Sequence, residues 1–338
     1  MADKLGVCVL GCGFIGAVHA ERWRSIPEVD LVTCFSRSEE KMMLFKEKYG
    51  FKKASKNPVE AIQDKDVSIV DICTPTYTHK DFALQALDAG KHVLLEKPIA
   101  LRLSDAGEIV RKAEKNSLKL MVAHVLRFWG EYFASKELIL HGEIGEPVLA
   151  RAYRQSAFPS WTSDSWHFDV HKSGGVFVDL SIHDVDFLRW CIGEVEEVYA
   201  QGGSYLRKNA SSPDHVQALL KFKNGALGYV EGSWIMPEGF PLTSFIEISG
   251  TRGMLSVDNK STATLSIYRP GGLREELTPL FKDGYYLEIR CFVDSIIRNE
   301  PPPVPGEEGL KSLEVVLAGL KSVFTGKPIK LPLEEEVL

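Results

Sequence analysis

The stretch "LGVCVLGCGFIG", residues 5–16, constrains the fold more than any other part of the chain. An apolar run gives way to Gly11, Gly13 and Gly16 in G-x-G-x-x-G order. The run reads as a buried strand, and the glycines as a sharp turn into a helix. Gly11 permits the tight turn, Gly13 lets backbone approach a pyrophosphate, and Gly16 allows close helix–strand packing. The helix start presents unpaired N–H groups to the phosphates, with Phe14 and Ile15 at the intervening positions of the same loop. Alone, such glycines also fit a tight turn with no ligand. Their place at the head of a βαβ unit turns the reading towards a dinucleotide.

The first third repeats that unit. Apolar strand-like runs at 30–36, 67–75, 91–98 and 118–124 alternate with helical patterns at 15–25, 38–49, 79–89 and 104–117. Continuously apolar strands imply a parallel sheet covered on both faces, so residues 1–123 are expected to form a doubly wound α/β domain. The pattern then changes. A helix is expected at 131–141, then strand-like runs at 147–157, 195–206, 214–223, 226–235, 244–249, 253–258 and 263–268. "KNG" (223–225) and "GTRG" (250–253) are hairpin signals, and helices are expected at 181–192, 285–298 and 307–324. Residues 124–338 therefore read as a second domain, α+β in type, with a large, mostly antiparallel sheet.

Composition narrows the function classes. The net charge is −6 and no basic block interleaves with aromatics, so nucleic acid is not an expected partner. No apolar run approaches the ~18 residues of a membrane span. The N-terminus lacks the pattern of a secretory signal. Cysteines at 8, 12, 34, 73, 191 and 291 show no metal-binding spacing. They read as small buried hydrophobes in a reducing cytoplasm, and no metal is expected.

The second strand bears on which dinucleotide binds. An NAD site usually places an acid about 20 residues past the glycines. Here the strand ends in "CFSRSEE", with Ser36 and Arg37 at the tip. Ser36 can donate to a 2′-phosphate and Arg37 can pair with it and stack on adenine, so NADP is expected ahead of NAD. Glu39 and Glu40 would oppose this if they pointed inward. After the strand at 67–75, the loop "TPTYTH" offers Thr74, Pro75 and Thr76 to the cofactor, with His79 as a helix cap or a contact.

Two further motifs carry chemistry. "EKP" (96–98) ends a strand at the carboxyl edge of the parallel sheet. Glu96 suits the nicotinamide ribose, Lys97 a position beside the ring and a substrate hydroxyl, and Pro98 a cis bond. "GGVFVDLSIHDVD" (174–186) sets Asp179, His183, Asp184 and Asp186 among apolar residues. Three readings are open: a metal site of Asp179, His183 and Asp186; a structural histidine; or an acid/base His183 with a supporting carboxylate. An alcohol-oxidising nicotinamide enzyme needs a base titrating near neutrality, which favours the third.

Taken with these motifs, "GCGFIGAVHAERW", "CTPTYTH", "LLEKPIAL", "LRFWGEYFASKELILHGEIGEP" and "SGGVFVDLSIHDVDFLRWCIGE" occur in the order found in the glucose-fructose oxidoreductase / inositol dehydrogenase / MocA family, which the chain resembles nearly end to end. The resemblance implies a Rossmann domain followed by an open-faced α/β domain, and dimers or tetramers assembled through that sheet. It implies that His183 shuttles the proton, that Lys97 polarises the reacting oxygen, and that Asp179 holds substrate or orients the histidine. It places Arg127 near nicotinamide and substrate. It also implies a sugar, cyclitol or sugar derivative as substrate. Trp161, Trp166 and Phe168, in a segment expected to be a loop (156–175), could stack on such a ring, with His167 or Asp169 on its hydroxyls. A nucleotide-sugar dehydrogenase, signalled by Arg154 or Lys172 facing the pocket, and a non-catalytic cofactor sensor are the alternatives.

Overall fold

A computed structural model describes residues 4–159, 166–279 and 283–338. Two compact units result: one runs to His124 and takes back Asp283–Leu310, and the other comprises Val125–Lys282 and Lys311–Leu338.

The first unit is built on a six-stranded sheet of β1 (Leu5–Leu10), β2 (Val29–Phe35), β3 (Lys53–Ser55), β4 (Ile69–Ile72), β5 (His92–Glu96) and β6 (Leu120–Ala123). The spatial order is β3-β2-β1-β4-β5-β6, and every pair is parallel. The order reverses between β1 and β4, at whose carboxyl ends a doubly wound sheet forms its ligand crevice. The buried strands β1, β4 and β6 carry the apolar runs expected of them.

The sequence reading assigned everything after residue 123 to the second domain. Residues Asp283–Leu310 depart from it. The helix Gly284–Ile297 packs on the helix Phe14–Trp23, with Arg22 paired to Asp283 at 2.7 Å and Arg290 to Glu28 at 2.7 Å. The Val122 amide donates to the Val304 carbonyl at 3.0 Å. These partners are far apart in sequence, so no local pattern announces them.

In the second unit, nine strands form one sheet: β7 (Pro147–Ala157), β8 (Val195–Gly203), β9 (His215–Phe222), β10 (Leu227–Met236), β11 (Thr243–Gly250), β12 (Gly253–Asp258), β13 (Leu265–Arg269), β14 (Leu273–Leu277) and β15 (Ile329–Lys330). The order is β14-β13-β12-β11-β7-β10-β9-β8-β15, antiparallel except for the β7–β10 pair. The edge strands β14 and β15 were not expected: β14, "LREEL", is exposed throughout and has no apolar period to read. Central strands alternate buried and exposed positions, as in β9. One face packs against the helix Ile182–Ile192 and the short helix Gly175–Asp179. The other carries exposed Leu219 and Leu227 and a stacked Tyr153–Phe245 pair at 5.2 Å.

Gly319 shows how tightly that core closes. A Cβ there would meet the ring of fully buried Phe177 at 2.2 Å. Gly319→Ala gains about 1 kcal/mol of helix propensity, yet overpacking a buried ring costs about 1–3 kcal/mol. The expected outcome is a lower urea midpoint with unchanged slope; a raised midpoint would show that the ring has room to move.

Candidate active site

The dinucleotide side is built where β1 turns into its helix. Gly11 has φ +108°, and a Cβ there would lie 2.5 Å from the Cys73 carbonyl oxygen. At Gly16 a Cβ would lie 1.9 Å from the Gly11 carbonyl oxygen. Gly13 differs: nothing lies within 4 Å of its would-be Cβ. The helix Phe14–Trp23 has no side-chain cap and no acid in its first turn. Open space, uncapped N–H groups and no opposing charge together fit a pyrophosphate.

At the end of β2, the Ser36 hydroxyl oxygen accepts from the Ser38 amide at 3.3 Å, which leaves its O–H to donate. Arg37 is exposed. Glu39 turns to solvent and pairs with Lys56 at 3.3 Å. After β4, the Thr78 hydroxyl donates to the Pro75 carbonyl at 2.8 Å and shares a hydrogen bond with the Thr74 hydroxyl at 2.7 Å, while Thr76 is buried. His79 proves to be a cross-link: its Nδ1 lies 2.8 Å from the Pro98 carbonyl and its Nε2 2.8 Å from the Thr74 carbonyl. Burial pushes its pKa down. A neutral ring has one N–H, which serves one of these carbonyls. The ring therefore lies between the threonine loop and the EKP corner and is hydrogen-bonded to one of them; at that corner Lys97 is half-buried and the Lys97–Pro98 bond is cis.

Beneath that corner lies a polar cluster that the sequence reading did not single out. His19 Nδ1 meets Asp71 Oδ2 at 3.0 Å, and Trp23 Nε1 donates to the same oxygen at 2.7 Å. The Cys73 thiol donates to Asp71 Oδ1 at 3.4 Å. Nδ1 of His19, Sγ of Cys73 and an Asp71 oxygen fall within 4.8 Å of one another. Hydrogen bonds account for the closeness, and burial pushes the Cys73 pKa up, so it is a thiol. Burial would depress His19, but its neighbours outweigh burial and hold its pKa well above the ordinary value. Those neighbours are the Cys73 sulfur, 3.5 Å from Nδ1, and the Asp71 carboxylate, 3.0 Å from it. Glu288, fully buried on the helix Gly284–Ile297, has both carboxylate oxygens without a hydrogen-bond partner among the described residues. Burial pushes its pKa well up, so it is held neutral. A signal was present: Asp71 interrupts the apolar run "SIVDI", and a buried acid needs partners.

The second unit settles the crowded acids of "GGVFVDLSIHDVD". Asp186 takes a bidentate pair from Arg127, Nε at 2.8 Å and Nη2 at 2.7 Å, both residues buried. Asp184 takes the same from Arg154, at 3.1 and 2.8 Å. Burial acts against the Arg154 charge, yet Asp184 outweighs it and raises its pKa. Asp186 is thereby paired with Arg127, which is itself buried. Asp179 ends the helix Gly175–Asp179, and His183 lies in the first turn of Ile182–Ile192. Both are partly exposed.

The segment expected to be a loop (156–175) is partly helical, with a 3₁₀ turn at Trp166–Phe168 and a short helix at Val170–Ser173. Buried His167 brings Nε2 to 4.0 Å from Asp179 Oδ2. Trp166 stacks on the His167 ring at 3.8 Å. Trp161 lies outside the described residues.

The sequence matches two family models: "Oxidoreductase family, NAD-binding Rossmann fold" over residues 5–124, and "Oxidoreductase family, C-terminal alpha/beta domain" over residues 136–331. The chain belongs to the Gfo/Idh/MocA oxidoreductase family. It is an NAD(P)-dependent dehydrogenase or reductase of that family. It is 32% identical to myo-inositol 2-dehydrogenase of Thermotoga maritima, over 98% of each chain. It is 29% identical to scyllo-inositol 2-dehydrogenase (NAD(+)) of Bacillus subtilis, over 98% of this chain and 97% of that one. Among solved structures, an NAD-binding oxidoreductase from Klebsiella pneumoniae matches with TM-score 0.87 and 26% identity, covering 98% of this chain and all of the other. Among the described residues of this family member, no helix is long and apolar enough to cross a membrane.

Two predictions follow from the first unit's geometry. Gly13→Val meets open space, so it should leave thermal stability unchanged while weakening dinucleotide binding at least tenfold; Gly16→Ala should destabilise the fold. Nicotinamide fluorescence titration and thermal melts check both, and tight binding by Gly13→Val would refute the phosphate site. Glu288 concerns pH. Its ordinary value is 4.5 and its folded value is higher, so above pH 4.5 the folded state holds a proton that the unfolded chain releases. Its contribution to stability then falls as pH rises, by at most ~1.4 kcal/mol per pH unit. Glu288→Gln should match the wild type near pH 4.5 and exceed it progressively above; parallel melting curves at all pH values would contradict this.

Proposed function

We propose that the protein oxidises a secondary hydroxyl of a cyclitol or sugar, or reduces the matching ketone, with His183 as acid/base and Lys97 as the polarising residue. Similarity to inositol 2-dehydrogenases along the whole chain, with Lys97, Asp179 and His183 in place within the family motifs, carries this reading. The arginine pairs of the second unit support it. They neutralise Asp184 and Asp186, which leaves Asp179 and His183 as that stretch's partly exposed ionisable groups.

In the oxidative direction His183 removes the hydroxyl proton, and Lys97 stabilises the alkoxide that develops. Bound nicotinamide supplies the hydride acceptor. Asp179, flanked by His167, orients His183 or holds a neighbouring hydroxyl, and Trp166 offers a face to the ring. The glycine loop with Phe14 and Ile15, the loop Thr74–Thr76, His79 and Glu96 form the dinucleotide side. NADP remains the favoured cofactor: Ser36 keeps a donor, Arg37 is exposed, and Glu39 points to solvent. The exposed sheet face around Leu219, Leu227, Tyr153 and Phe245 would pair copies into a dimer or tetramer. The nucleotide-sugar alternative loses one of its two signals, because Arg154 is buried against Asp184.

A screen of inositols, sugars and UDP-sugars at 340 nm, with NAD and NADP side by side, tests the substrate class. Lys97→Met and His183→Ala should each lower kcat by ~10²-fold or more with dinucleotide binding retained; full turnover in either removes its role. Arg37→Ala should raise KM for NADP far more than for NAD, and equal effects would withdraw the NADP preference.

A further inference from the structure

We propose that His19 is a positioning residue for the EKP corner, acting on Lys97 through the Glu96 carboxylate. The proposal rests on the reading of Lys97 given above. Glu96 stands at the end of β5 with its two oxygens turned to different partners. Oε2 accepts the Lys97 backbone N–H at 3.0 Å. Oε1 lies 3.3 Å from His19 Nε2, a charge contact without hydrogen-bond geometry. On its far side the imidazole is anchored by Asp71, and Asp71 by Trp23 one helical turn beyond His19. The Tyr285 ring packs tilted against His19 at 5.9 Å. His19, Trp23 and Asp71 are fully buried, so the ring has no alternative site.

The charge arrangement gives the contact direction. Two carboxylates, Asp71 at 3.0 Å and Glu96 at 3.3 Å, flank one imidazole, and paired acids on both edges favour its protonated form. Neutral Glu288 adds no opposing negative charge. A cation at His19 holds Glu96 inward, and an inward Glu96 holds the Lys97 amide and with it the backbone from which the Lys97 side chain starts. Without that cation, Glu96 is a buried carboxylate beside Asp71 whose described partner is the Lys97 amide, and an uncompensated buried charge is costly enough to drive it outward. Lys97 then loses its backbone latch, while the glycine loop, on the other side of the helix start, keeps its geometry.

The experiment compares His19→Leu, His19→Gln, Glu96→Gln and the double variant His19→Leu/Glu96→Gln, with Lys97→Met as reference. Expected results are a tenfold or greater fall in kcat for His19→Leu at little-changed dinucleotide Kd, and a comparable fall for His19→Gln, which keeps an N–H donor but no charge; full rescue by His19→Gln would overturn the role given to the cation. Glu96→Gln should fall comparably, and the double variant no further than the lower single. Glu96→Gln is nearly isosteric and keeps the question answerable if His19→Leu folds poorly. Wild-type kcat in folded His19→Leu, or fully additive losses in the double variant, overturns the proposal. Should Lys97→Met itself turn over normally, the Lys97 reading fails instead. The His19–Glu96 link is then judged by the double-mutant cycle in thermal stability, where zero coupling overturns it.

Discussion

Asp71 is the pivot of the dinucleotide side. One buried carboxylate accepts from an imidazole, an indole and a thiol, and the first two sit one turn apart on the helix that follows the glycine loop. That helix is therefore registered against β4 by charge-assisted bonds as well as by apolar contact. Its N-terminus, with the open space at Gly13, is held where a phosphate can reach the backbone. The same imidazole meets Glu96 on its other edge. Glycine loop and EKP corner thus depend on a single desolvated acid, and removing that acid would leave His19 buried with its anchoring partner gone.

The second unit uses buried charge differently. Arg127–Asp186 and Arg154–Asp184 are two bidentate pairs reaching one helix from different elements. Asp186 is also bonded by Ser312, which accepts from Arg189, so the network continues into the C-terminal helix. Such pairs fix orientation more than they stabilise, because desolvation offsets much of their attraction. They set the rotation of the helix Ile182–Ile192 and leave His183 at its partly exposed side.

Much of this was legible in the residues. The glycine spacing, the apolar strands of the first sheet and the alternating strands of the second each leave a local period, and the elements appear close to their expected places. The short strands β3, β14 and β15 leave too little period to detect. The acids of "GGVFVDLSIHDVD" were visible as an anomaly, but their fates were not. Whether Asp186 meets an arginine, a metal or a substrate depends on Arg127, 59 residues away. His19 and Asp71, 52 residues apart, pose the same difficulty.

The sequence by itself determined the class of the protein: a glycine turn between an apolar strand and a helix, repeated βα units, and motifs in the order of one family. Tertiary structure alone decided which ionisable groups are consumed in holding the fold and which remain partly exposed. It also decided that Asp283–Leu310 returns to the first unit. The physical reason is range. Backbone periodicity is written within a few residues, whereas a buried charge is defined by whichever distant partner replaces its lost water.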